Sequence, residues 1–154
     1  MNQESTERSN RKRLLGIDYG SARIGIAVSD PLRIIAQGVT VLPNSPQLTR
    51  QIQALVEEYD VETIVVGYPM TLRGTRGPKG HEVDLFIEQL RRTISCPIVT
   101  MDERFTSKSS AEMLRMMGVQ KKNRQKKGIV DVMAAALILQ TYLDSHKVHT
   151  DEVS

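Results

Sequence analysis

The sequence predicts an α/β domain: a five-stranded mixed sheet, made of a three-stranded antiparallel meander followed by βα units, with helices on both faces. Three observations lead there. Three β-branched apolar runs come first, separated only by the short turn segments Gly20-Ser21-Ala22 and Asp30-Pro31-Leu32. Segments of helical and strand period then alternate, the signature of βα units. Last comes a helix that is apolar nearly all round, which a soluble fold must largely enclose.

Taken in order, the first three strands are expected over Arg13–Tyr19, Arg23–Ser29 and Arg33–Leu42. The second places Ile24, Ile26 and Val28 on one face by its period of two. Leu48, Ile52, Leu55, Val56 and Tyr59 then recur at helical spacing. Thr63-Ile64-Val65-Val66-Gly67 is a short continuous apolar run, as in a strand buried on both faces, and Tyr68-Pro69 ends it. A glycine-rich basic loop, Arg73 to Gly80, precedes a second helix carrying Val83, Phe86, Ile87 and Leu90. Pro97 to Met101 reads as a fifth strand. A third helix is expected from Thr106 or Ser107, where a hydroxyl can cap, to Gly118. The last helix spans about Gly128 to Leu143. Residues 13–146 form one domain between polar tails at 1–12 and 147–154.

The composition excludes several classes. The 154 residues are 40% hydrophobic and 25% charged, enough for one cored domain. No apolar run approaches the roughly 20 residues that span a bilayer. The polar N-terminus lacks the apolar stretch of a secretory signal, so a cytoplasmic protein is expected. Cys96 is the one cysteine, so no internal disulfide forms, and it reads as a small buried side chain. Without a Cys/His cluster a zinc site is not expected. Net charge is only +3, but basic residues concentrate in two segments. Arg73, Arg76 and Lys79 form one. Lys121, Lys122, Arg124, Lys126 and Lys127 form the other, five cations in seven positions. Such clusters suit phosphate contacts, which give affinity without sequence choice. Aromatics are only 4% of the chain, so extensive base stacking is not expected. Tyr19, Tyr68 and Phe105 are the aromatic side chains expected beside the site.

Three positions can carry chemistry. Asp18 ends the first strand in Gly16-Ile17-Asp18-Tyr19-Gly20, where flanking glycines permit close approach of a ligand or metal. An Asp before Gly equally suits a turn. Asp102-Glu103-Arg104 follows the fifth strand, at the end where open α/β sheets place their sites. It suits a solvated salt-bridging turn as well. Asp131 is the acid of an otherwise apolar helix, and in a first turn it also complements the helix dipole. Together the three suit carboxylate ligation of Mg²⁺ or Mn²⁺ and metal-assisted phosphodiester hydrolysis. No histidine base is then needed, and the three histidines are His81, His146 and His149. His81, opening a helix beside a basic loop, is a possible phosphate contact.

These residues resemble the YqgF/RuvX family of pre-16S rRNA nucleases and Holliday-junction resolvases, over about Leu14 to Leu143. Four blocks carry the resemblance: Gly16–Gly20 continuing through Arg23–Asp30; Val65–Pro69 with Gly74 and Gly77; Asp102–Ser107 followed by Ala111-Glu112; and Lys127-Gly128 with Asp131, Ala134-Ala135 and Leu137–Leu139. Tyr68 stands where the family often has leucine or isoleucine, and Ser107 where it has a second threonine. The resemblance implies a ribonuclease H-like fold related to the RuvC resolvases. It implies catalytic, metal-binding roles for Asp18, Glu103 and Asp131, with Asp102 close behind, and a link to ribosomal RNA maturation. Arg104 would steady the scissile phosphate or an acid. Many nucleases of this fold carry an acid where the fourth strand ends here in Gly67-Tyr68-Pro69, so Asp102 or Glu103 must serve from another strand.

The reading is therefore a divalent-metal-dependent endonuclease maturing the 5′ end of pre-16S rRNA, as a monomer or weak homodimer. A resolvase of branched DNA, for which a dimer suits the two-fold substrate, is one alternative. A non-catalytic RNA-binding maturation factor is another. An actin-like nucleotide phosphotransferase shares the opening strand, but its usual paired domains do not fit in this length.

Overall fold

The computed structural model describes residues 12–69, 77–103 and 127–146. Its elements are β1 (Arg13–Tyr19), β2 (Arg23–Ser29), β3 (Ala36–Pro43), α1 (Leu48–Glu58), β4 (Val61–Tyr68), α2 (Pro78–Thr93), β5 (Ile98–Asp102) and α3 (Lys127–Ser145). The sheet order is β3-β2-β1-β4-β5. The meander pairs antiparallel, while β4 and β5 add in parallel to the other side of β1. The helix expected from Thr106 or Ser107 to Gly118 lies outside the described residues.

Alternation along the strands divides the side chains between two layers. Leu15, Ile17, Ile24, Ile26, Ile64 and Val66 meet Leu48 and Ile52 of α1 and Val83, Phe86 and Leu90 of α2. The opposite face, with Leu14, Ala27 and Val65, meets Ala135, Ala136, Ile138 and Leu139 of α3. Cys96 packs at the margin of the first cluster, and burial pushes its thiol up, as befits an unreactive side chain.

The third strand starts three residues later than its apolar sequence suggests. The Asp30 carboxylate accepts hydrogen bonds from the backbone N–H of Ile34 (2.7 Å) and Ile35 (2.9 Å), and Arg33 takes a positive φ of 59°. The side-chain bonds hold the backbone in a turn, so Ile34 and Ile35 stay exposed despite their β propensity. At the second helix the boundary moves the other way. Pro78 fits the helix start, where its missing N–H forgoes no bond, so Lys79 belongs to the first turn of α2 rather than to the basic loop.

α3 lies across four strands, β1 to β4. A stretch of it, Gly128–Ser145, is long and apolar enough to cross a membrane by length and composition alone, contrary to the expectation from the sequence. Here it serves as a sheet-covering helix. Enclosure is one-sided among the described residues: Met133, Ala135, Ile138 and Leu139 are buried, but Val130 is exposed. Close seating on the sheet depends on glycine. A Cβ on Gly16 would stand 2.7 Å from Leu139 Cβ, and one on Gly38 would stand 2.2 Å from Val132 Cγ1.

Candidate functional site

Asp18 is the penultimate residue of β1 and shares the α3-facing side with Leu14 and Gly16. Its lateral neighbours make room around it. On one side it pairs in register with Gly25 of β2. A Cβ there would fall 2.0 Å from the Asp131 carbonyl oxygen, so the absent side chain admits the first turns of α3 against β2. On the other side, one step beyond the Ile17–Val66 pair, lies Gly67 of β4. A Cβ at Gly67 would fall 2.7 Å from Glu103 Oε1. The end of β4 therefore contributes space, and the acid that fills it comes from the segment just after β5. Gly16 and Gly20 have other tasks than admitting a ligand: Gly16 receives Leu139, and Gly20 packs against the Arg23 backbone in the β1–β2 turn.

This arrangement brings Asp18, Glu103 and Asp131 together. The Asp18 carboxyl is pushed up from 3.8 to about 7. Burial is the largest cause, followed by the negative charge of Glu103 and a hydrogen bond with it, with a smaller contribution from Asp131; Lys79 opposes them. Lys79, exposed in the first turn of α2, is thus a cation near enough to act on Asp18. Asp102 is placed differently. It pairs in register with Tyr68, and strand alternation puts both on the α1–α2 side. The period of two therefore separates the adjacent acids Asp102 and Glu103, leaving Glu103 with Asp18.

Sequence reasoning missed Arg23. Its Nε donates to Asp131 Oδ2 at 2.7 Å, and both side chains keep part of their surface in water. The signal was available: Arg23 has the same parity as Gly25 and Ala27, the β2 face that receives the last helix. The two tyrosines expected beside the site point away from it. Tyr19 packs on Phe86, with ring centroids 4.8 Å apart, and its hydroxyl accepts a bond from Asn44. The Tyr68 hydroxyl donates to Asp84 Oδ2 at 3.1 Å. Tyr19 also lines a groove of about 690 Å³ with Ser21, Asn44, Glu82 and Arg92, on the face away from the carboxylates. His81 is exposed on α2. Arg104, Phe105, Arg73, Arg76, Lys121, Lys122, Arg124 and Lys126 lie outside the described residues. Lys127 opens α3 one turn before Asp131.

The donor set is chemically right for a hard divalent cation, since three carboxylates supply oxygen and negative charge in a partly dry pocket. Among the described residues, however, no three acids or histidines already stand as one ion's coordination sphere. Asp18 is bonded to Glu103, whereas Asp131 is bonded to Arg23.

Comparison with known proteins agrees with this fold. A family model described as "RuvX: Holliday junction resolvase" matches residues 12–145. A protein of Ruminiclostridium cellulolyticum named "Putative pre-16S rRNA nuclease" is 41% identical over 135 residues, covering 86% of this chain and 94% of the relative. A Geobacillus kaustophilus protein of the same name is 40% identical over 139 residues, covering 88% and 99%. Among solved structures, Thermus thermophilus RuvC in complex with a Holliday junction substrate is similar with a TM-score of 0.58 at 17% identity, over 88% of this chain and 96% of that one. The fowlpox virus resolvase complexed with Holliday junction DNA is similar with a TM-score of 0.52 at 9% identity, over 86% and 97%. At such identities the likeness establishes the fold, the ribonuclease H-like fold of these resolvases.

Proposed function

The chain belongs to the RuvX family, and on that footing we propose that it is a divalent-metal-dependent endonuclease that hydrolyses phosphodiesters of precursor 16S ribosomal RNA in the cytoplasm. One observation carries the reading. A half-buried carboxyl, Asp18, sits against Glu103 and near Asp131 at the C-terminal edge of the parallel strands, with its charged form disfavoured. Protein folding gains nothing from gathering like charges, so the cluster is explained by a cation that binds them.

Asp18, Glu103 and Asp131 would hold Mg²⁺ or Mn²⁺. The bound ion supplies Lewis acidity toward the phosphodiester and lowers the proton affinity of water. The chain's own groups do the rest. Lys79 draws a phosphate toward the acids, and the basic run ending at Lys127 delivers cations to the start of the helix that carries Asp131. Gly25 and Gly67 leave room for the Asp131 backbone and the Glu103 carboxylate, which sets both acids beside Asp18. The description of the matching family favours a second reading, a resolvase of branched DNA working as a dimer.

A matched cleavage assay separates them. Wild type and Asp18→Asn receive a precursor 16S RNA fragment or a four-way DNA junction, with Mn²⁺, Mg²⁺ or EDTA. Metal-dependent cutting of RNA by wild type alone is expected. Preferential cutting of the junction would move the assignment to the resolvase. Equal binding by both proteins without cutting would make the chain an RNA-binding maturation factor.

A further inference from the structure

Arg23 is the group whose position the proposed reaction does not yet explain. It opens β2 on the α3-facing side, and its Nε–Oδ2 bond to Asp131 is a short charge-assisted one. Asp131 cannot escape by moving its helix, because its backbone is pressed onto Gly25. Only the carboxylate can turn. Among the described residues the guanidinium has no other hydrogen-bond partner, and its side chain is 37% exposed. The fork of Nη donors is therefore open to another anion. The missing coordination sphere has the same cause: two of the three acids are together, and the third is held by a cation of the protein itself.

We propose that Arg23 is a positioning residue that holds the place of a divalent cation on Asp131, and that once the cation takes this carboxylate the guanidinium turns to a phosphate oxygen of the nucleic-acid substrate. The inference rests on the nuclease reading for its substrate, but not for its competition with metal. Exchange of one cation for another keeps Asp131 neutralised throughout, and it delivers a phosphate-binding fork only when metal is in place.

The test uses Arg23→Gln and Arg23→Lys in the full chain, with Mn²⁺ as probe. Isothermal titration without nucleic acid should show Mn²⁺ binding about twofold to fivefold tighter in Arg23→Gln, the range of a partly exposed ion pair. Cleavage of the precursor RNA fragment at saturating Mn²⁺ should fall by about tenfold or more in the same variant. Arg23→Lys should lie between wild type and Arg23→Gln in both, and it serves if Arg23→Gln does not fold. Weaker or unchanged Mn²⁺ binding in both variants would overturn the proposal, since a purely structural arginine would lower metal affinity and cleavage together. Unchanged cleavage would overturn the phosphate role. If wild type cuts nothing, the nuclease reading fails separately. The Mn²⁺ titration then still decides the competition, and RNA binding with and without Mn²⁺ decides the phosphate role: wild type should bind tighter with metal, and Arg23→Gln should lose that gain.

Discussion

Replacing Asp18 by asparagine should abolish cleavage and yet stabilise the metal-free protein at neutral pH. Asp18 ordinarily titrates at 3.8 but is held at about 7 in the folded chain. Between those values the folded state keeps a proton that the unfolded state has lost, so stability falls as pH rises through the window and the whole contribution is gone above it. At about 1.4 kcal/mol per pH unit, a window of about three units sets a ceiling of ~4 kcal/mol. The realised loss should be on the order of 2 kcal/mol, because the Glu103 side chain can swing away as charge builds. Asparagine carries no charge at any pH, and its amide can donate to Glu103 as the protonated acid does. Urea denaturation in EDTA, from pH 4.5 to 8, measures this directly. Wild type should lose about 2 kcal/mol more than Asp18→Asn across the range. Added Mn²⁺ should restore wild type more at pH 8 than at pH 5 and leave the variant nearly unmoved. Parallel pH curves for the two proteins would refute the claim that burial and Glu103 hold a proton on Asp18.

The two lateral glycines should fail differently. Gly25→Ala pushes a methyl into the Asp131 backbone and should destabilise by about 3 kcal/mol or more in thermal melts, because a helix must move. Gly67→Ala meets only the ends of the Ile138 and Glu103 side chains, so about 1 kcal/mol of stability should be lost while cleavage falls sharply. Glu103→Gln should reduce cleavage on the order of a hundredfold or more, while Asp102→Asn should stay within about fivefold, in rate measurements on the same RNA. Lys79→Gln removes the one opposing charge among the described residues, so Asp18 rises further and the acid limb of the pH–rate profile should move to higher pH. The same variant should show a salt slope of RNA affinity shallower by about one.

Much of the fold was legible because local rules and global packing agree. Arg13–Tyr19 and Arg23–Ser29 are strands with the very bounds their apolar runs suggest, since both are buried between two helical layers. The departures occur where a side chain or a proline overrides hydrophobicity. Asp30 closes a turn that keeps Ile34 and Ile35 out of β3, and Pro78 starts α2 inside a segment whose glycines and charges read as loop. The last helix was over-read. Its composition demands burial, but among the described residues only the face that meets the glycine-bearing strands obtains it.

The site was legible in its acids and illegible in what surrounds them, for a physical reason. Asp18, the Asp102-Glu103 pair and Asp131 stand out because each interrupts or ends an apolar segment, and only the family resemblance prefers Glu103 within the pair. Their spacing along the chain says nothing of their spacing across the sheet. That is set by register, and register depends on every paired strand at once. Gly25 and Gly67 flank Asp18 only because β2 runs antiparallel and β4 parallel to β1 in these alignments. Once the pairings are known, parity explains why Glu103 rather than Asp102 stands beside Asp18. Gly67 shares the α3-facing side with Val65, and on β5 that side carries Val99 and Met101. Two residues beyond Met101 is Glu103, and its carboxylate fills the place a side chain at Gly67 would take. The absence of an acid on β4 is therefore no gap in the constellation. An aspartate at 67 would occupy the volume that Glu103 uses, so the two solutions exclude each other, and a Gly67→Asp, Glu103→Ala double variant should recover part of the cleavage that Glu103→Ala alone loses.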